Sequence, residues 1–259
     1  MIARKDEGFD MDFHDTAAGR RIGYEFTPGT GPTVVFLGGY KSDMQGTKAV
    51  HLEDWAKATG RAFLRFDYSG HGASGGTFED GCIGDWAEDA QSVIEAVTQG
   101  PVLLVGSSMG GWIALLMTQR LADVAGLVTI AAAPDFTEDG FWADFDKDQR
   151  ETIMQDGQLA LPSEYGDPYI ITRRLIEDGR NHLVLRSSLD LPFPVRLLQG
   201  TADTSVHPDR ALKLLDHAAS PDMRLVLVDG ADHRFSDADC LALIESSVEE
   251  VIARAEKDA

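Results

Sequence analysis

The stretch Pro101-Val102-Leu103-Leu104-Val105-Gly106-Ser107-Ser108-Met109-Gly110-Gly111-Trp112-Ile113-Ala114-Leu115-Leu116-Met117 decides the reading of this chain. A short apolar run, Val102 to Val105, enters a turn of glycine and serine, and a run of helix formers follows at once. The expected order is strand, sharp turn, helix. The turn Gly106-Ser107-Ser108-Met109-Gly110 matches G-x-S-x-G, a common pattern that gains meaning only from that flanking context. The central residue of such an elbow takes strained backbone angles, and side chains beside it would collide with the neighbouring strand and helix. Gly106, Gly110 and Gly111 meet that need. Ser108 is therefore the candidate nucleophile. The plainer alternative is a glycine-rich turn with an incidental serine.

Working outward, the same rhythm recurs. Pro32–Gly39, Arg61–Tyr68, Ala125–Ala133, Val195–Leu198 and Leu225–Val228 read as strands. Ala49, Leu52, Trp55 and Ala56 share one face of a helix. Asp85-Trp86-Ala87-Glu88 has the form of a capping box opening a second helix, with Trp86, Val93, Ile94 and Val97 on its apolar face. A last helix begins near Ser236 and presents Leu241, Ile244, Val248 and Val251. Near-continuous apolar strands alternating with helices predict an α/β fold, a mostly parallel sheet with helices on both faces. Residues 20–29 are expected to add an antiparallel edge strand. The 259 residues suit one domain spanning 1–259.

One segment breaks the rhythm. From Asp135 to Leu191 there is no clear buried strand, but Phe136, Phe141, Trp142, Phe145, Met154, Tyr165 and Tyr169 are interleaved with charges. Long insertions of this kind are often lids. A helical lid insertion over residues 135–191 is the expectation, with some of its aromatics lining an acyl pocket. The alternative is a set of surface helices whose aromatics only pack on the main domain.

Composition excludes several classes. Apolar residues make up 43% and charged residues 25%, which is ordinary for a soluble globular chain. No apolar run approaches the roughly 20 residues of a membrane helix, so no integral membrane segment is expected. Met1–Glu7 is charged and has no apolar h-region, which predicts no secretory signal and a cytoplasmic location. A formal charge of −20 repels phosphate backbones and makes nucleic acid an unsuitable partner. Cys82 and Cys240 lack the spacing of a metal or redox pair.

The strand-to-loop junctions supply the remaining chemistry. A base belongs on a loop at the carboxyl end of a strand, and His233, in Gly230-Ala231-Asp232-His233, follows Leu225–Val228 directly. It is the last of seven histidines, which fits the chain order serine, acid, histidine. Asp203, at the end of Leu197-Leu198-Gln199-Gly200-Thr201-Ala202-Asp203, is the candidate acid, with Asp135 as its rival. Asp229 and Asp232 read as turn residues. His71 is expected to support its glycine turn, and His207 to precede a helix start. An oxyanion hole needs two backbone amides: Met109, after the nucleophile, and Tyr40, from the loop Gly38-Gly39-Tyr40, with Gly39 as nearest competitor.

Two decoys share one loop. Gly72-Ala73-Ser74-Gly75-Gly76 also matches G-x-S-x-G, but no strand precedes it and no helix follows. Gly70-His71-Gly72-Ala73-Ser74-Gly75 matches the dinucleotide fingerprint G-x-G-x-x-G, which would imply a nucleotide-dependent oxidoreductase. That fingerprint requires a helix opening inside the motif. Here the helix is deferred to about Gly84.

Five segments together resemble a known family. They are Gly38–Met44, Arg65–Gly70, Gly106–Trp112, Arg196–Gly200 and Asp232–Arg234. They are similar to α/β-hydrolase superfamily serine hydrolases of the palmitoyl-protein thioesterase and mycophenolic acid acyl-glucuronide esterase family, of which this chain looks like a bacterial-type homologue without a transit peptide. The likeness continues at Leu161-Pro162-Ser163-Glu164-Tyr165 and around Ile176 and His182, and is weakest between Phe136 and Leu159. It implies an α/β-hydrolase fold, with the family's triad on Ser108, Asp203 and His233 and its oxyanion loop on Gly38-Gly39-Tyr40, where Gly38 replaces a more usual proline. The expected activity is hydrolysis of carboxylic esters or thioesters through an acyl-serine, on a small-molecule or acyl-chain substrate, with no metal or organic cofactor. A non-catalytic binding protein on the same scaffold is the other reading.

Overall fold

In chain order the first half comprises β1 (Asp12–Asp15), β2 (Arg21–Thr27), β3 (Thr30–Leu37), α1 (Thr47–Thr59), β4 (Arg61–Phe66), α2 (Ile83–Val97), β5 (Val102–Ser107), α3 (Met109–Arg120) and β6 (Val124–Ile130). The second half adds α4 (Lys147–Asp156), β7 (Gln158–Leu161), β8 (Tyr169–Thr172), α5 (Arg173–Gly179), β9 (Leu189–Asp190), β10 (Val195–Gly200), α6 (Asp209–His217), β11 (Ala218–Ala219), β12 (Met223–Val228) and α7 (Ala238–Asp258). This computed structural model describes residues 11–162 and 168–258. The expectations placed on Met1–Glu7 and on Ser163, Glu164 and Tyr165 lie outside the described residues.

Eight strands form one sheet in the order β1-β2-β4-β3-β5-β6-β10-β12. Pairing is parallel from β4 through to β12 and antiparallel for β1–β2 and β2–β4. Alternate residues of a strand face opposite sides of a sheet. Thus Val35, Leu37 and Leu104 join a core with α2 and α3, while Val34, Phe36, Leu103 and Val105 join another with α1 and α7. Both faces are covered, which is why these strands are apolar at every position rather than at every second one. Helix α3 is buried at every residue from Met109 to Met117, so it carries no polar face.

Three expectations need correction. Residues 20–29 do contain an antiparallel strand, β2, but β1 lies outside it and forms the edge. The capping box at Asp85–Glu88 is absent: α2 starts at Ile83 with Cys82 as its cap and no side-chain capping bond. The Asp85 carboxylate instead meets Arg20 at 3.4 Å and Arg174 at 2.7 Å, partners remote in sequence. The insertion at 135–191, expected to be helical and without a buried strand, also holds an antiparallel pair of strands, β7 and β8, neither of them buried throughout. Their residues are mostly exposed or half-buried, so no apolar run marks them.

Candidate active site

The elbow is built from close approaches that only glycine allows. Ser108 sits at φ +55° and ψ −119°, a strained conformation for a residue with a side chain. A Cβ on Gly106 would lie 2.3 Å from the Gly110 carbonyl oxygen, and one on Gly110 would lie 2.0 Å from the Leu37 carbonyl oxygen. The Ser108 amide donates to Ile130 at 2.9 Å, and its carbonyl accepts from Gly111 at 2.9 Å and Ala133 at 3.0 Å. Strand β6 thereby clamps the strained residue from one side.

The candidate base and acid are brought together by two loops after neighbouring strands. β10 and β12 pair in parallel, so the loops beyond Gly200 and Val228 emerge side by side. Gly200 is needed there, since a Cβ would lie 2.2 Å from the Ala231 carbonyl oxygen. The His233 Nδ1 lies 2.9 Å from Asp203 Oδ2. An ionised carboxylate only accepts, so Nδ1 carries the ring proton and Nε2 is left as an acceptor. Asp203 is 3% exposed and also accepts from the Ser205 amide, the Val206 amide and Gln199 Nε2, at 2.9, 2.8 and 3.0 Å. Burial alone would raise its pKa. The bond from His233, the Val206 amide and the attraction of His233 outweigh burial and hold the carboxyl below its ordinary value.

Asp135 does not compete for the histidine. Its carboxylate is fully buried and accepts from the amides of Val184 (2.8 Å) and Leu185 (3.1 Å) and from Arg186 Nη1 (3.2 Å). It anchors the segment before β9. Asp232 caps the amides of Arg234 and Phe235, and Asp229 meets Thr201, so both are turn residues as expected.

Ser108 and His233 line one cavity of about 280 Å³, together with Gly39 and Tyr40. Among the described residues no hydrogen bond yet joins the serine hydroxyl to the ring; such contacts commonly tighten only with substrate bound. A Cβ on Gly39 would lie 3.4 Å from Ser108 Cβ, so the loop after β3 passes directly over the serine. The amides of Tyr40 and Met109 donate to no acceptor among the described residues. The loop is held elsewhere: Ser42 donates to the Gly39 carbonyl through its amide (3.2 Å) and hydroxyl (2.8 Å), and buried Asp67 accepts the Met44 amide at 2.6 Å. At Lys41, φ +59°, the amide donates to His71 Nε2 at 3.3 Å.

His71 is thus a loop support, with Nδ1 against the Ser69 carbonyl at 3.1 Å. Burial lowers its pKa from 6.5 to about 4, against a smaller opposing pull from that carbonyl. The unfolded chain takes up the proton below about pH 6.5, while the folded chain stays neutral down to about pH 4. The unfolded state therefore binds more protons in that window, and stability falls on acidification through it. The expected contribution is about 2 kcal/mol lost between about pH 7 and pH 5. Urea titrations of wild type and His71→Asn should differ by that amount in their pH dependence; equal slopes would refute it.

The decoy loop is occupied by its own chain. Ser74 Oγ donates to the Asp67 carbonyl at 2.6 Å and accepts from the Gly23 amide at 2.9 Å, so it is a structural serine. A Cβ on Gly72 would lie 2.1 Å from Asp67 Oδ2. A carboxylate fills the turn where a pyrophosphate would have to sit, and repels it.

Two neighbours of the site carry weaker sequence signals. Gln199 interrupts the apolar β10, and that position is the visible sign of its bond to Asp203. Lys48, on α1, donates to the Arg234 carbonyl and so ties α1 to the histidine loop; burial, then Arg234, brings its pKa down to about 8. A lysine on a helix surface gives no hint of that in sequence. Among the described residues no aromatic of 135–191 lines the cavity that holds Ser108. Phe136, Phe141 and Tyr169 pack on the Tyr40 ring instead. Among the described residues no cluster of three or more potential metal ligands occurs, and no helix is long and apolar enough to cross a membrane.

A sequence model of the Alpha/beta hydrolase family matches residues 34–253. The mitochondrial palmitoyl-protein thioesterase ABHD10 of Rattus norvegicus is 36% identical over 234 residues, covering 89% of this chain and 78% of that protein. Its name places it in mitochondria, so it lends no support to a cytoplasmic location. A protein of Agrobacterium vitis S4 described as a hydrolase superposes with a TM-score of 0.89 at 40% identity, over 93% of this chain and 99% of the other. The alpha/beta hydrolase domain-containing protein 10 from mouse gives 0.87 at 32% identity, over 94% and 98%.

Proposed function

This chain belongs to the alpha/beta hydrolase family, and from that premise we propose that it is a serine hydrolase of carboxylic esters or thioesters. The observation that carries the reading is the cavity shared by a strained, accessible Ser108 and by His233, whose Nδ1 is bonded to a buried Asp203 at 2.9 Å. The thioesterase name of the rat relative supports the same bond class.

In this reading His233 Nε2 takes the hydroxyl proton as Ser108 Oγ forms a bond to the acyl carbon. The carbonyl oxygen becomes an oxyanion held by the unengaged amides of Tyr40 and Met109. His233 then protonates the departing alkoxide or thiolate as its bond to carbon breaks. A water, deprotonated by His233, releases the acid and returns the proton to Ser108. Asp203 keeps the ring in the Nδ1–H tautomer and stabilises the imidazolium. Residues 135–191 form a lid within a single domain, resting on α2 and α3 through the Gly84 amide to Asp178 (2.8 Å) and Trp112 Nε1 to the His182 carbonyl (2.9 Å).

A fluorophosphonate probe tests the reading. It should add to Ser108, located by mass on the peptide that holds Gly106–Gly111, and should stop hydrolysis of p-nitrophenyl acetate. Labelling elsewhere, or turnover that survives full labelling, would move the protein to the non-catalytic class.

A further inference from the structure

The Tyr40 ring stands between the candidate active site and the interior of residues 135–191. On one side it lines the cavity of Ser108 and His233. On the other it is boxed by five rings: Phe78 at 4.8 Å, Phe136 at 5.7 Å, Trp86 at 6.0 Å, Phe141 at 6.1 Å and Tyr169 at 6.3 Å between centroids. These separations are those of directly packed aromatics, with no width left for a hydrocarbon chain between them. The space around that side of the Tyr40 ring is therefore taken by side chains.

The space that is open beside Ser108 is small, and its wall mixes apolar groups such as Phe36 and Ala49 with charged ones. Its volume of about 280 Å³ falls below the ~300–1,000 Å³ typical of pockets that enclose drug-sized ligands. Asp43, Thr47, Lys48 and Arg234 contribute to its wall. Laying an alkyl chain along charged groups strips their water and returns no hydrogen bond. Once that volume is filled, each further methylene stays in water or meets those charged groups, and gains little of the roughly 0.8 kcal/mol that burial in an apolar pocket would supply.

We propose that this protein selects short acyl groups, acetyl to butyryl, and that the Tyr40 side chain is the residue that sets the limit by sealing the cavity from the aromatic interior. The proposal rests on Ser108 being the nucleophile. It separates this chain from the palmitoyl group named for its rat relative.

The test is kcat/KM across p-nitrophenyl acetate, butyrate, octanoate and laurate, with Ser108 labelling run alongside. Wild type should favour acetate and butyrate, with octanoate at least about tenfold lower, equivalent to about 1.4 kcal/mol. Tyr40→Ala should raise the octanoate-to-acetate ratio by about tenfold, while Tyr40→Phe, which keeps the ring, should retain the wild-type profile. The ratio within one variant cancels any general loss from disturbing the Tyr40 amide. If Tyr40→Ala fails to fold, Phe136→Ala opens the same box from its far side and should shift the ratio in the same direction. A wild type that prefers laurate, or ratios unmoved in folded, labelled variants, overturns the limit while leaving the hydrolase intact. Absence of labelling at Ser108 overturns both readings together.

Discussion

Ser108→Ala should lower kcat for p-nitrophenyl ester hydrolysis by about 10⁶, to within reach of the residual rate that binding and the two amides sustain alone. The size of the drop follows from geometry. Ser74 and Ser42 cannot substitute, because Ser74 is consumed by bonds to Asp67 and Gly23, and Ser42 by the Gly39 carbonyl. The variant should keep the fold, since alanine inherits the same φ of +55° and removes only the hydroxyl. Ser108→Gly should lose activity equally yet melt no lower, because glycine occupies that region without strain. Steady-state rates with circular-dichroism melts separate the two effects. An unchanged kcat in a folded Ser108→Ala would end the acyl-serine mechanism.

Asp203→Asn should cost about 10⁴ in kcat with little change in KM. An amide cannot stabilise the imidazolium as a carboxylate does, and its NH₂ favours the ring tautomer that points the wrong nitrogen at Ser108. Asp135→Asn is the matched control. Its carboxylate holds the Val184 and Leu185 amides, so the loss should appear in the urea midpoint and leave kcat within about tenfold. Reversal of that pattern would return the acid's role to Asp135. The pH dependence of Asp203 has a definite sign. Its folded pKa lies below the ordinary value, so its contribution to stability is complete above about pH 4 and is lost as pH falls through the folded pKa. Through neutral pH this carboxylate remains ionised.

The parts of the fold that were legible share one property: their signal is local. The strands on both sides of Ser108, β5 and β6, are apolar runs because each is buried on both faces. The glycines of the elbow mark close approaches that any longer residue would block. Asp203 and His233 each follow a strand by a few residues, and parallel pairing of β10 with β12 brings the two loops together. Where the signal was not local, the reading failed. Asp85 has the spacing of a capping residue, but its carboxylate is taken by Arg20 and Arg174. The β7–β8 pair is not legible in the sequence because short, half-exposed strands carry no periodic apolar pattern.

The sequence by itself determined the class of fold, the elbow and the candidate serine and histidine, because strand burial and glycine contacts are written into consecutive residues. Only the tertiary structure decided between Asp203 and Asp135, since both follow strands and the choice turns on which loop reaches the imidazole. Only the tertiary structure, too, placed Tyr40 between Ser108 and the aromatics of four other segments. The reason is physical: the volume left for a substrate is set by side chains that meet across the fold, and no window of neighbouring residues contains that distance.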